Sequence, residues 1–119
     1  MRSATGSHTG TGTWLVQRAT ALMLAVAVPG LIVLFVAAWP DDFSAWQALF
    51  APRSSRVLIW LTGAAMALHA WVGMRDILMD YVHPVGVRLA LYLAVMITLA
   101  ASVAWLAAIL VGAVPGSAA

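Results

Sequence analysis

Val57-Leu-Ile-Trp-Leu-Thr-Gly-Ala-Ala-Met-Ala-Leu-His69-Ala-Trp-Val-Gly73-Met74 is an apolar run with one ionisable side chain near its middle. Arg75-Asp76-Ile-Leu-Met-Asp80-Tyr81 then carries the run out to a cluster of ionisable groups. A helix needs ~20 residues to cross ~30 Å of hydrocarbon, and this stretch is long enough. At the rise of an α-helix, His69 lies deep in the apolar layer, about 16 Å along the axis from the carboxylate of Asp80.

The rest of the chain supports a membrane setting. Of 119 residues, 64% are hydrophobic and 8% charged. A soluble protein of this size could not hide so much apolar surface in its interior. Two further stretches are long enough to span, Trp14–Ala38 and Val87–Ala113, beside Val57–Met79. In lipid the helix satisfies every backbone group within one segment, so the expectation is an all-α integral membrane chain with three transmembrane helices. The apolar part of the first, Ala19 to Ala38, exceeds a signal-peptide core, and Trp39-Pro40-Asp41-Asp42 is a poor cleavage site, so it is expected to be retained. Pro29-Gly30 inside it is read as a tolerated kink.

Pro40-Asp41-Asp42 stops the first helix. Phe43, Trp46, Leu49 and Phe50 then recur at helical spacing, which predicts a short amphipathic turn in the headgroup region with Trp39 and Trp46 as anchors. Pro52 ends it. The second connection, Asp80 to Gly86, is seven residues long, so the second and third spans are antiparallel neighbours. Orientation rests on arginine, because the chain has no lysine. Arg2, Arg18, Arg75 and Arg88 fall on one side against Arg53 and Arg56 on the other, which places the N-terminus and the Asp80-Tyr81 end in the cytoplasm. Residues 1–13 read as a flexible tail rich in Ser, Thr and Gly, 14–114 as a three-span domain and 115–119 as a C-terminal tail.

Several chemistries are excluded. Without cysteine there is no disulfide, thiolate chemistry or iron–sulfur cluster ligated by this chain. No phosphate-binding glycine loop, paired carboxylate or nucleophile triad is present. The net charge of +2 is accounted for by membrane orientation, so nucleic acid is not an expected partner.

Ionisable side chains within a span are costly and are therefore candidate functional residues. His69, Gly73, Asp76 and Asp80 follow at intervals of four, three and four, which puts them on one helix face. Two readings suit His69. It is an axial haem ligand, with Gly73 leaving room for the macrocycle or a close helix, or it is a neutral histidine bonded to a carbonyl or hydroxyl of a neighbouring helix. Bis-histidine haem would require a second ligand from another chain, since His8 lies in the N-terminal tail and His83 in the surface loop. Asp80 and Tyr81 suit proton relay and hydrogen bonding to a quinone carbonyl at the bilayer edge, or an ordinary aromatic belt and loop carboxylate. Arg18 suits a haem propionate, or a snorkelling anchor.

Taken together, His69-Ala-Trp-Val-Gly-Met, the Asp80-Tyr81-Val-His-Pro that follows, Arg88-Leu and the Arg18-Ala-Thr-Ala of the first span carry a resemblance. Over essentially its whole length the chain resembles the small hydrophobic membrane-anchor subunit of bacterial succinate dehydrogenase (complex II). The resemblance implies half of a heterodimeric haem-binding helical bundle in the bacterial inner membrane. It also implies that His69 is an axial ligand of a haem b whose other ligand is a histidine of a companion anchor subunit, with Arg18 near the propionates. Tyr81 would hydrogen-bond ubiquinone, with Asp80 beside that site. Partners would be the companion anchor, the iron–sulfur subunit, the flavoprotein subunit and membrane lipid, and this chain would do no chemistry on succinate itself. Two alternatives differ in class: a homodimeric b-type electron-transfer cytochrome, and a haem-free structural anchor of a fumarate reductase-like complex.

Overall fold

The computed structural model describes residues 8–113. Arg2, the rest of the polar stretch up to Ser7, and the tail at 115–119 lie outside the described residues. Four helices follow one another: α1 (His8–Ala38), α2 (Phe43–Leu49), α3 (Arg53–Tyr81) and α4 (Val85–Gly112). Three of them, α1, α3 and α4, are long and apolar enough to cross a membrane. No strand occurs among the described residues.

The long helices begin earlier than the apolar runs do. α1 starts at His8, inside the stretch expected to be flexible, and Thr13 Oγ1 donates to Gly10 O at 3.1 Å within that added length. Once a span is nucleated, each further residue costs only propagation, so polar residues extend it readily. α3 and α4 begin where prolines allow. Pro52 and Pro84 are both extended, and their carbonyls accept the first intrahelical bonds, from Arg56 N at 3.4 Å and Arg88 N at 3.0 Å. The seven-residue connection of the sequence reading therefore contracts to Val82-His83-Pro84. α1 continues through Pro29, as a membrane helix can.

The amphipathic turn expected after the first span is α2. Asp42 caps it: Oδ1 accepts from Ala45 N at 2.7 Å and from Ser44 Oγ at 2.9 Å. These donors hold the Asp42 carboxyl below its usual value of 3.8, the Ala45 amide contributing most. Phe35 near the end of α1 stacks on Trp46 at 5.6 Å between centroids, and Phe50 closes the cluster at 5.3 Å from Trp46. This aromatic contact fixes α2 against the end of α1. Trp39 stays exposed, as an interfacial anchor requires.

α3 is the central helix and packs against both α1 and α4. Small residues allow the approach: a Cβ placed on Gly63 would lie 2.5 Å from Leu106 Cδ2 of α4. Trp71 meets Tyr92 edge-on at 5.9 Å across the same interface. The buried apolar side chains are few, Ala65, Val72, Leu78 and Leu110, and no described side chain falls below 2% exposure. The three spans thus close two helix interfaces and leave most of their apolar surface to lipid and to other protein.

These contacts can be tested by substitution. Gly63→Val should destabilise the detergent-purified protein by an amount typical of overpacking, about 1–3 kcal/mol, and so lower its thermal midpoint. Gly86→Ala, where an added Cβ meets nothing within 4 Å, should leave the midpoint unchanged or slightly raised. Asp42→Ala should speed amide exchange at Ala45. Because the folded carboxyl titrates below 3.8, its capping contribution is complete above that pH and is lost only as pH falls through the lower folded value. Protection of α2 in the wild type should accordingly be flat from about pH 5 to 8, and a loss in that range would be the contrary result.

Candidate functional site

His69 is placed by α3 and held by α1. Seventeen residues into α3, it faces Thr20, and its Nδ1 lies 3.1 Å from Thr20 Oγ1. Thr20 is 8% exposed, one of two buried polar residues among those described. Its hydroxyl lies 2.7 Å from Val16 O and 3.1 Å from Gln17 O, the carbonyls one turn back on α1. Three other span hydroxyls are satisfied by bonds of this type. Thr62, Thr98 and Ser102 donate to Leu58 O, Ala94 O and Thr98 O at 2.7–2.8 Å. Thr20 differs in also reaching a side chain 49 residues away.

The contact realises the hydroxyl partnership that sequence reasoning allowed for His69, and it uses only one of the two ring nitrogens. Nε2 forms no hydrogen bond with any described residue. One turn further along, Gly73 is open: an added Cβ there meets nothing within 4 Å. Packing within this chain explains Gly63 and leaves Gly73 unexplained. On α1, one turn before Thr20, Gln17 Oε1 is buried and has no hydrogen-bond partner among the described residues. Thr20 and Gln17 are functional candidates that the sequence reading passed over. The available signal was a polar pair, Gln17 and Thr20, at one-turn spacing where the first span turns apolar.

The other candidates are not drawn into this contact. Arg18 was expected at the opening of the first span. Because α1 begins at His8, it lies instead ten residues inside the helix, near the level of Thr20. Its guanidinium sits over the Trp14 ring, 5.5 Å from the centroid, and so reaches back toward the helix N-terminus. Arg75 and Asp76 approach each other at 3.9 Å with the carboxylate largely exposed, a weak surface pair. Asp80 and Tyr81 end α3, and Tyr81 is 78% exposed. Twelve residues separate Tyr81 from His69, about 18 Å along the axis, so the two lie at different depths. His83 occupies the short connection after Tyr81, at the end of α3 rather than at the level of His69. Among the described residues, no three of His, Cys, Asp and Glu cluster closely enough to enclose a metal ion. A metal held by His69 would therefore be only partly ligated by this chain.

Comparison with known proteins decides the family. Residues 2–111 match the family of the succinate dehydrogenase/fumarate reductase transmembrane subunit. A succinate dehydrogenase hydrophobic membrane anchor subunit from Coxiella burnetii is 32% identical over 99 residues, 83% of this chain and 86% of the relative. The chain belongs to this transmembrane subunit family. As a succinate dehydrogenase/fumarate reductase transmembrane anchor, it is a multi-pass membrane protein whose family works within a larger complex. The fold expectation of an all-helical membrane anchor is met, and the sparse interior of the anchor suits a subunit that is packed by others.

Proposed function

We propose that His69 Nε2 of this anchor would ligate the iron of a haem b shared with a companion membrane anchor, and that Tyr81 and Asp80 contribute to a ubiquinone-reduction site. The observation that carries the reading is the Thr20–His69 contact, which engages Nδ1 deep in the span and leaves Nε2 without a hydrogen-bond partner among the described residues. The donor set fits the group. A neutral imidazole is the usual b-type ligand, the open face at Gly73 leaves room beside it, and a single histidine from this chain requires the second from another.

When bound, the haem supplies a one-electron centre within the low-dielectric layer. The chain's own residues do the rest. His69 would hold the iron, and Arg18, near the same depth, would offer a planar guanidinium to a propionate in place of its contact with Trp14. Tyr81 donates its phenolic proton in a hydrogen bond to a ubiquinone carbonyl, and Asp80 beside it holds a proton within reach of water. Their exposure on this chain suits a pocket completed by other subunits. Two electrons and two protons are consumed per quinone, so a site at the end of α3 serves both supplies. The electrons originate at succinate in a flavoprotein subunit and arrive through an iron–sulfur subunit, with the cytoplasm on the Asp80-Tyr81 side of the bacterial inner membrane. The anchor makes and breaks no bond in succinate.

Two measurements test this. The dithionite-reduced minus oxidised spectrum of the detergent-purified complex should show a b-type signal that His69→Ala abolishes, and an unchanged signal in that variant would remove His69 from the iron. Tyr81→Phe should slow quinone reduction about tenfold, the cost of one lost hydrogen bond to the substrate, with haem content unchanged. Wild-type turnover in that variant would remove Tyr81 from the site.

A further inference from the structure

Thr20 Oγ1 has three neighbours and one proton. Its shortest contact, 2.7 Å, is to Val16 O, a backbone carbonyl that a threonine hydroxyl on a helix reaches without strain, and the second carbonyl, Gln17 O, lies on the same side at 3.1 Å. With the proton directed at that pair, the oxygen lone pairs are what face His69 Nδ1 at 3.1 Å. A hydrogen bond between two acceptors is impossible, so Nδ1 must carry the imidazole proton. In the neutral ring Nε2 then bears the lone pair. The opposite arrangement would turn the hydroxyl away from its shortest partner and leave an Nε2–H donor unpaired within the span, which is costly in lipid.

We propose that Thr20 is a positioning residue for His69: its hydroxyl accepts the Nδ1 proton, fixes the ring's tautomer and orientation, and so presents the Nε2 lone pair to haem iron. This rests on the haem reading above for its ligand, while the tautomer follows from the Thr20 geometry alone. Two consequences are chemical. An acceptor on Nδ1–H raises the basicity of the ligating nitrogen, which favours the ferric state and lowers the potential. It also fixes the ring before iron arrives, because Thr20 is buried between α1 and α3 and its hydroxyl is tied to its own helix. The two helices that carry the ligand and its support are thereby coupled, and an axial ligand on α3 depends on the seating of α1.

The test uses the detergent-purified complex with Thr20→Val, Thr20→Ala, Thr20→Ser and His69→Ala, read by potentiometric titration of the haem spectrum and by haem transfer to apomyoglobin. Thr20→Val keeps the shape and removes the acceptor. It should raise the midpoint potential and weaken haem retention about ten- to a hundredfold, the usual effect of losing a ligand's hydrogen-bond partner. Thr20→Ala, which cannot overpack, should give the same shift should valine hinder assembly. Thr20→Ser, with the hydroxyl but not the methyl, should keep the wild-type potential. A potential and retention unchanged in both Val and Ala variants, alongside loss of haem in His69→Ala, would overturn the role of Thr20 and leave the ligand reading standing. The same shift in Thr20→Ser as in Thr20→Val would also overturn it, since packing and not the hydroxyl would then be at work. A haem signal that survives His69→Ala would instead overturn the reading on which the proposal rests.

Discussion

Inside the hydrocarbon layer no water is available to complete a hydrogen bond, and that constraint governs this chain from backbone to site. It forces the three spans to be helices, since only there does each segment satisfy its own amides and carbonyls. It decides what the span hydroxyls do: Thr20, Thr62, Thr98 and Ser102 each turn back to a carbonyl of their own helix. It also makes an intramembrane histidine a problem with two halves, one for each ring nitrogen. Thr20 answers the first half from within the chain, and the second has no hydrogen-bond partner among the described residues.

The same economy explains the architecture around the site. α3 carries His69 and is the helix with neighbours on both sides, so its rotation is fixed by α1 at Thr20 and by α4 at Gly63 and Trp71. Little of the chain is buried beyond these contacts, and large apolar side chains such as Leu22, Val26, Ile97 and Trp105 stay exposed. Lipid accepts such side chains as readily as protein does, so their exposure carries no hydrophobic penalty in place. Polar groups are different. The buried Gln17 Oε1, Nε2 of His69 and the open face at Gly73 are features that an interface with other subunits can use, whereas lipid gains nothing from them.

Much of this was legible in the sequence because it depends on length and period. The three spans, the short helix between Pro40 and Pro52 and the antiparallel neighbours α3 and α4 all follow from apolar runs and the positions of proline. The helix starts did not follow, because His8–Thr13 and Arg53–Arg56 are polar segments that become helical by continuing from a span, and composition records the span alone. The placement of Arg18 ten residues inside α1 follows from that early start. Thr20 was hidden for a different reason. Its partner lies 49 residues away on a different helix, and a single threonine in an apolar run ordinarily does no more than bond its own backbone. Only the seating of α1 against α3 shows that its oxygen serves twice.

The separation of His69 from Tyr81 is best understood through what each depth permits. His69 sits within the apolar run of α3, with Thr20 of α1 against one ring nitrogen, a setting that suits a centre whose ligand is neutral and rigid. At the end of α3 water and headgroups are within reach, so a carboxylate and a phenol can exchange protons without crossing the layer. About 18 Å of helix divides the two. In the proposed reading an electron centre and a proton-consuming quinone site need different environments in one complex, and a single helix supplies both by placing one ligand at its middle and two polar groups at its end. The fixed element in this arrangement is α3, and the hydroxyl of Thr20 holds the histidine at its middle in a defined orientation.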